Sequence, residues 1–112
     1  MTVLLIDDDD DALTLLQMML RRKGVTTRTA RSLAEAREVL AEADGNIKVI
    51  VTDLELGDGD GMTLHPEVVG RVLRFVVLTG RSSVTAPSEV VVLQKPVDVA
   101  PLLAAIGHGP DG

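Results

Sequence analysis

No cysteine, tryptophan or tyrosine occurs in this sequence, and its one aromatic side chain is Phe75. Without cysteine there is neither a disulfide framework nor a thiolate metal site, and the chain can fold in a reducing compartment. Two histidines, His65 and His108, are too few for a typical zinc site and read as exposed bystanders. Long apolar runs are missing too: none approaches the ~20 residues of a membrane span, and no basic stretch precedes an apolar core at the start. A cytoplasmic chain with neither signal peptide nor membrane contact is therefore expected. Base-stacking aromatics are absent and the one basic run, Arg21 to Lys23, suits the last turn of a helix, so direct nucleic-acid binding is not expected.

What is present fits one compact domain: 112 residues, 46% hydrophobic, with a formal charge of −6. The acidity is local. Nine of the 17 acids fall in Asp7 to Asp11 and in Asp53, Glu55, Asp58 and Asp60, and the other 8 are outnumbered by 11 bases.

Apolar runs rich in β-branched residues recur at Val3 to Ile6, Ile47 to Val51, Phe75 to Leu78 and Val90 to Leu93, with a weaker one at Val25 to Ala30. The four stronger runs are too continuous for strands with one wet face and read as strands covered on both sides. A first helix follows the aspartates, with Ala12, Leu15, Leu16, Met19 and Leu20 at helical spacing. Ser32 can cap a second, with Glu35 at the capping-box position and Leu33, Ala36, Leu40 and Ala43 as its stripe. A last helix begins after Asp98 and stops at Gly107. Met62 to Val69 should hold a short, kinked or restarted helix, because Pro66 lacks a backbone donor. Gly80 to Ser88 has too little apolar surface for more than a loop or one helical turn. The pattern predicts an α/β fold with a doubly wound, five-stranded parallel sheet, in which ligands bind beyond the carboxyl ends of the strands.

Those ends carry Asp7 and Asp8, Asp53, Thr79 and Lys95, which should meet in one crevice. Close carboxylate pairs repel by about 4 kcal/mol at ~4 Å and an effective dielectric of ~20, so a positive group belongs among them. A hard divalent ion, Mg²⁺ (or Mn²⁺), suits that need; Lys95 adds a fixed cation and Thr79 a hydroxyl donor. Carboxylate, metal, hydroxyl and ammonium are the parts of phosphoryl transfer. Asp9, Asp10 and Asp11 read as helix caps, and Asp58 and Asp60, among Gly57, Gly59 and Gly61, as turn chemistry.

Four segments in order, VLLIDD (Val3 to Asp8), VIVTDLELGDGDG (Val49 to Gly61), VVLTG (Val76 to Gly80) and LQKP (Leu93 to Pro96), resemble the receiver domain of two-component response regulators, of CheY-like, flavodoxin-like fold. The resemblance covers residues 1–107 and leaves 108–112 as a flexible tail, whether of a single-domain regulator or of a receiver cut from a longer protein. It implies that Asp53 is the phosphoacceptor and that Asp7 and Asp8 hold Mg²⁺ with Asp53 and the Glu55 backbone carbonyl. It further implies that Thr79, Lys95 and the Gly80 amide bind the phosphoryl group, and that the peptide before Pro96 is cis. The implied donor is a histidine kinase or histidine phosphotransfer protein, and an output partner protein reads the result. Three departures stand out: Gly57 where the family often has proline, Val92 where a switch aromatic commonly sits, and a Thr79-to-Lys95 interval too short for a full fourth helix. Two other functions stay open: a phosphorylation-independent interaction module, and a small Mg²⁺-dependent phosphohydrolase with an aspartyl nucleophile.

Overall fold

The structure is a computed structural model that describes residues 2–43 and 45–107; His108 and the expected tail lie outside the described residues. Five parallel strands, β1 (Thr2–Ile6), β2 (Thr26–Ala30), β3 (Ile47–Asp53), β6 (Arg74–Thr79) and β7 (Val90–Gln94), form one sheet in the order β2-β1-β3-β6-β7. Two dipeptides after β3, β4 (Glu55–Leu56) and β5 (Gly59–Asp60), make a separate antiparallel hairpin. The helices are α1 (Asp10–Arg21), α2 (Leu33–Ala43), α3 (His65–Val68) and α4 (Val99–Ala105).

Alternation along each strand divides the core. Val3, Leu5, Val49, Val51, Val76 and Leu78 face α1 and α4, while Leu4, Ile6, Ile50, Phe75 and Val77 face α2 and α3. Both faces of the central strands β1, β3 and β6 are covered, which is why their apolar runs are continuous rather than every second residue, whereas the edge strand β2 alternates and buries only Ala30.

The helix boundaries follow local chemistry. The Asp9 side chain accepts from the Asp11 amide and caps α1. Pro66 sits in the first turn of α3, where its missing donor costs nothing, and a 3-10 turn (Gly61–Leu64) fills the space before it. Asp98 occupies the cap position of α4 without a side-chain hydrogen bond. No helix forms between Gly80 and Glu89; Val84 and Ala86 fold partly against the core there instead.

Two expectations need correction. The buried stripe of α1 is Leu13, Leu16 and Leu20, and Leu15 is 59% exposed, because the turn set by Asp9 aims the i, i+3, i+7 positions at the sheet. His65 is buried, not a bystander: its ring meets Phe75 edge-on at 5.3 Å and its Nε2 lies 3.2 Å from Glu89. It covers Phe75 on the sheet face where no helix forms between β6 and β7.

Candidate functional site

Chain order reverses between β1 and β3, since the chain leaves β1 for β2 on one side and returns to β3 on the other. Crossovers depart to opposite faces there and leave a crevice at the carboxyl ends. Asp7 follows β1 on one lip, and Asp53 ends β3 on the other. Ligand oxygens of Asp7, Asp8 and Asp53 all lie within 4.8 Å of one another.

The next two strands complete the crevice. Thr79, the last residue of β6, is buried, and its Oγ1 accepts from the Arg81 amide at 3.0 Å. Gly80 follows it, exposed. The Lys95 amide donates to the Thr79 carbonyl at 2.7 Å, which carries the parallel ladder past β7. That pairing delivers the Lys95 ammonium to 3.3 Å from Asp53 Oδ2 and 3.7 Å from Asp7 Oδ2. The Lys95–Pro96 peptide is cis.

The acids are not equivalent. Asp7 is buried, Asp53 is 9% exposed and Asp8 is open to solvent. Burial holds the Asp7 carboxyl above the usual carboxylate range; the Asp9 amide and Lys95 oppose the rise, whereas Asp53 and Asp8 add to it. Asp7 Oδ1 accepts from the Asp9 amide at 2.9 Å, yet Oδ2 is buried and accepts no hydrogen bond. A buried acceptor without a donor, facing two more carboxylates, fits a hard cation with oxygen ligands.

Sequence reasoning passed over four parts of this site. Arg81 pairs with Glu55, its Nε 3.1 Å from Glu55 Oε1. Gly61 is pressed against the backbone of Asp53: a Cβ there would lie 2.2 Å from the Asp53 carbonyl oxygen and 2.6 Å from Thr52 Oγ1. Asp58, read as turn chemistry, accepts from the Leu33 and Ala34 amides across the fold. Finally, a cavity of about 480 Å³ opens beside Asp7 and Lys95, lined by Ala12, Leu15, Leu16, Met19, Pro96 and Val97 among others. Only the glycines had a visible signal, three of them alternating with aspartates; the other contacts join residues far apart in sequence.

A doubly wound sheet with an acidic trio, a lysine and a threonine at its carboxyl edge is the arrangement expected of a receiver-type signalling domain. This chain belongs to the response regulator receiver domain family, which it matches over residues 3–107. It is similar to a response regulator receiver domain protein from Clostridium thermocellum: TM-score 0.84, 25% identity, over 95% of this chain and 90% of that one. The beryllofluoride-activated NtrC4 receiver domain dimer matches with TM-score 0.82 and 30% identity, over 96% of this chain and 93% of that one. A Burkholderia pseudomallei response regulator, solved with a phosphorylated aspartic acid, calcium ion and citrate, matches with TM-score 0.79 and 30% identity, over 94% of this chain and 65% of that one. No curated protein matches the sequence. Among the described residues no helix is long and apolar enough to cross a membrane.

Proposed function

We propose that Asp53 accepts a phosphoryl group from a phosphohistidine on a histidine kinase or histidine phosphotransfer protein in the cytoplasm. The protein then signals to an output partner by shifting its conformational population. The observation that carries this reading is the ammonium of Lys95 set between Asp53 and Asp7, whose buried Oδ2 accepts no hydrogen bond.

An Asp53 carboxylate oxygen attacks phosphorus as the bond to the imidazole nitrogen breaks, and that nitrogen keeps the electron pair. Lys95 offsets the charge that develops on the phosphoryl oxygens, and the Thr79 hydroxyl and Gly80 amide donate to the transferred group. Asp7, Asp8, Asp53 and the Glu55 carbonyl are the residues that would hold Mg²⁺ or Mn²⁺. Such an ion neutralises the clustered carboxylates and draws charge from phosphoryl oxygens when bound. Water attack at phosphorus later releases phosphate and restores Asp53. No separate substrate is turned over, so the chemistry is self-directed.

The apolar groove along Leu15, Leu16 and Met19 ends at Asp7 and Lys95, which suits a partner helix that presents its phosphohistidine at the groove's end. Incubation with Mg²⁺ and a small phosphodonor, followed by intact mass measurement, tests the reading. One phosphoryl adduct that maps to Asp53 is expected. No adduct would instead point to the interaction module, and rapid multiple turnover of the donor to the hydrolase.

A further inference from the structure

The hairpin that follows Asp53 is built from residues with little backbone stiffness, yet it carries the carbonyl proposed as a metal ligand. Glu55 pairs with Asp60 and Leu56 with Gly59, which leaves Gly57 and Asp58 as the two-residue tip. Glycines on both sides of Asp58 make this tip costly to order. Its base is well anchored: the Gly61 amide donates to the Leu54 carbonyl at 2.7 Å, and Asp60 Oδ1 accepts from the Met62 amide at 2.7 Å.

The tip is anchored elsewhere. Asp58 Oδ1 accepts from the Leu33 amide at 2.9 Å and Oδ2 from the Ala34 amide at 3.1 Å. These are the first two amides of α2, which no intrahelical carbonyl can satisfy; Ser32 Oγ takes the third, that of Glu35, at 3.0 Å. Both carboxylate oxygens are thus engaged, and the two bonds hold the Asp58 carboxyl below its ordinary range. Gly59 closes the contact: its φ of +145 strains any side chain there, and a notional Cβ would stand 2.9 Å from Leu33 Cδ1, which would have to shift. Gly57 lies on the other side of the tip, where a Cβ would stand 3.8 Å from Asp8 Oδ2.

We infer that Asp58 is a positioning residue that clamps the hairpin tip to the start of α2 and so holds the Glu55 carbonyl in place for a divalent cation. It supplies by two hydrogen bonds the stiffness that a glycine at 57 cannot. The inference rests on the reading of Glu55 as a metal ligand through its carbonyl. It also links α2 to the site reciprocally: an ion that orders the hairpin strengthens the clamp, and loss of the clamp weakens the ion.

Mg²⁺ titration by calorimetry is the test, since the chain has no tryptophan or tyrosine to report binding. Asp58→Ala is expected to bind Mg²⁺ about 10-fold more weakly, the low end of effects seen for residues that orient metal ligands. Adding Gly57→Pro to that variant should recover most of the affinity, because a fixed φ replaces the lost clamp. Asp58→Asn, with one acceptor oxygen left, should fall between and serves if the alanine variant does not fold. In the wild type, Mg²⁺ should slow hydrogen exchange at the Leu33 and Ala34 amides. Unchanged affinity in Asp58→Ala overturns the clamp. So does a loss that Gly57→Pro leaves unrepaired, which would mark the effect as one of charge. If the wild type itself binds no Mg²⁺, the metal reading of the whole site falls, and the clamp with it.

Discussion

The Lys95 ammonium stands 3.3 Å from Asp53 Oδ2, so the residue that ends β3 and the one that follows β7 form an ion pair across the width of β6. The pair is partly shielded, since the Asp53 side chain is 12% exposed and that of Lys95 37%. Its geometry leaves the other Asp53 oxygen free of Lys95, with only a long 3.4 Å contact from the Glu55 amide. Attack on phosphorus needs a carboxylate oxygen that is charged, positioned and not already strongly bonded.

Asp53→Asn is expected to fold like the wild type and to take no phosphoryl group, because the amide has nearly the same shape but is not a carboxylate nucleophile. Intact mass after treatment with a small phosphodonor and Mg²⁺ checks this. Full labelling of the variant would move the phosphoacceptor elsewhere.

Asp7→Asn should weaken Mg²⁺ binding while leaving the metal-free protein as stable as the wild type or more so. A carboxyl raised above its ordinary 3.8 favours the fold fully below that pH and loses its contribution as pH rises through the folded value. The variant's advantage in thermal melting should therefore be present at neutral pH and vanish on acidification below 3.8. An advantage that grows in acid would contradict the burial argument.

Gly61→Ala should destabilise the fold by about 1–3 kcal/mol, the usual range for overpacking, since the obstructing atom is the Asp53 backbone and not a flexible side chain. Because the shift falls on Asp53, the proposed phosphoacceptor, labelling should slow by more than the fraction unfolded accounts for. Urea melts and labelling rates measured together separate the two effects.

Leu15→Glu should leave labelling by a small phosphodonor unchanged and stability within about 0.5 kcal/mol, as for other exposed positions. Transfer from a phosphorylated histidine phosphotransfer protein should fall at least several-fold, because the charge enters the apolar groove. Equal transfer by both proteins would remove the groove from the docking surface.

Gly80 to Ser88 is held by few contacts: the Arg81 amide on Thr79 Oγ1, the Arg81 side chain on Glu55, the Pro87 carbonyl accepting from the Val90 amide, and the partial burial of Val84 and Ala86. Segments with so few buried contacts open readily. Beryllofluoride with Mg²⁺ should slow amide exchange there as Thr79 and Gly80 engage the mimic. Equal exchange in both states, with the site confirmed as filled, would mean that this segment carries no output signal.

Most of the fold was legible in the sequence because its signals are local. Continuous apolar runs marked the buried strands, Ser32 and Asp9 announced their helices, and Pro66 marked where the third helix starts. The site was legible for the same reason: in a parallel sheet every strand's carboxyl end faces one edge, so Asp7, Asp53, Thr79 and Lys95 had to converge once the strands were known.

What the tertiary structure alone decided are relations between residues with no fixed sequence spacing. His65 became a buried partner of Phe75 and Glu89 because no helix forms between β6 and β7 to cover that face. Leu15 became a groove wall because the cap at Asp9 sets the rotation of α1 against the sheet. Asp58 reached the amides of Leu33 and Ala34 because the hairpin folds back over the start of α2. Sequence periodicity reports which face of an element is apolar; which elements meet, and at what rotation, follows only from packing both faces of the sheet at once.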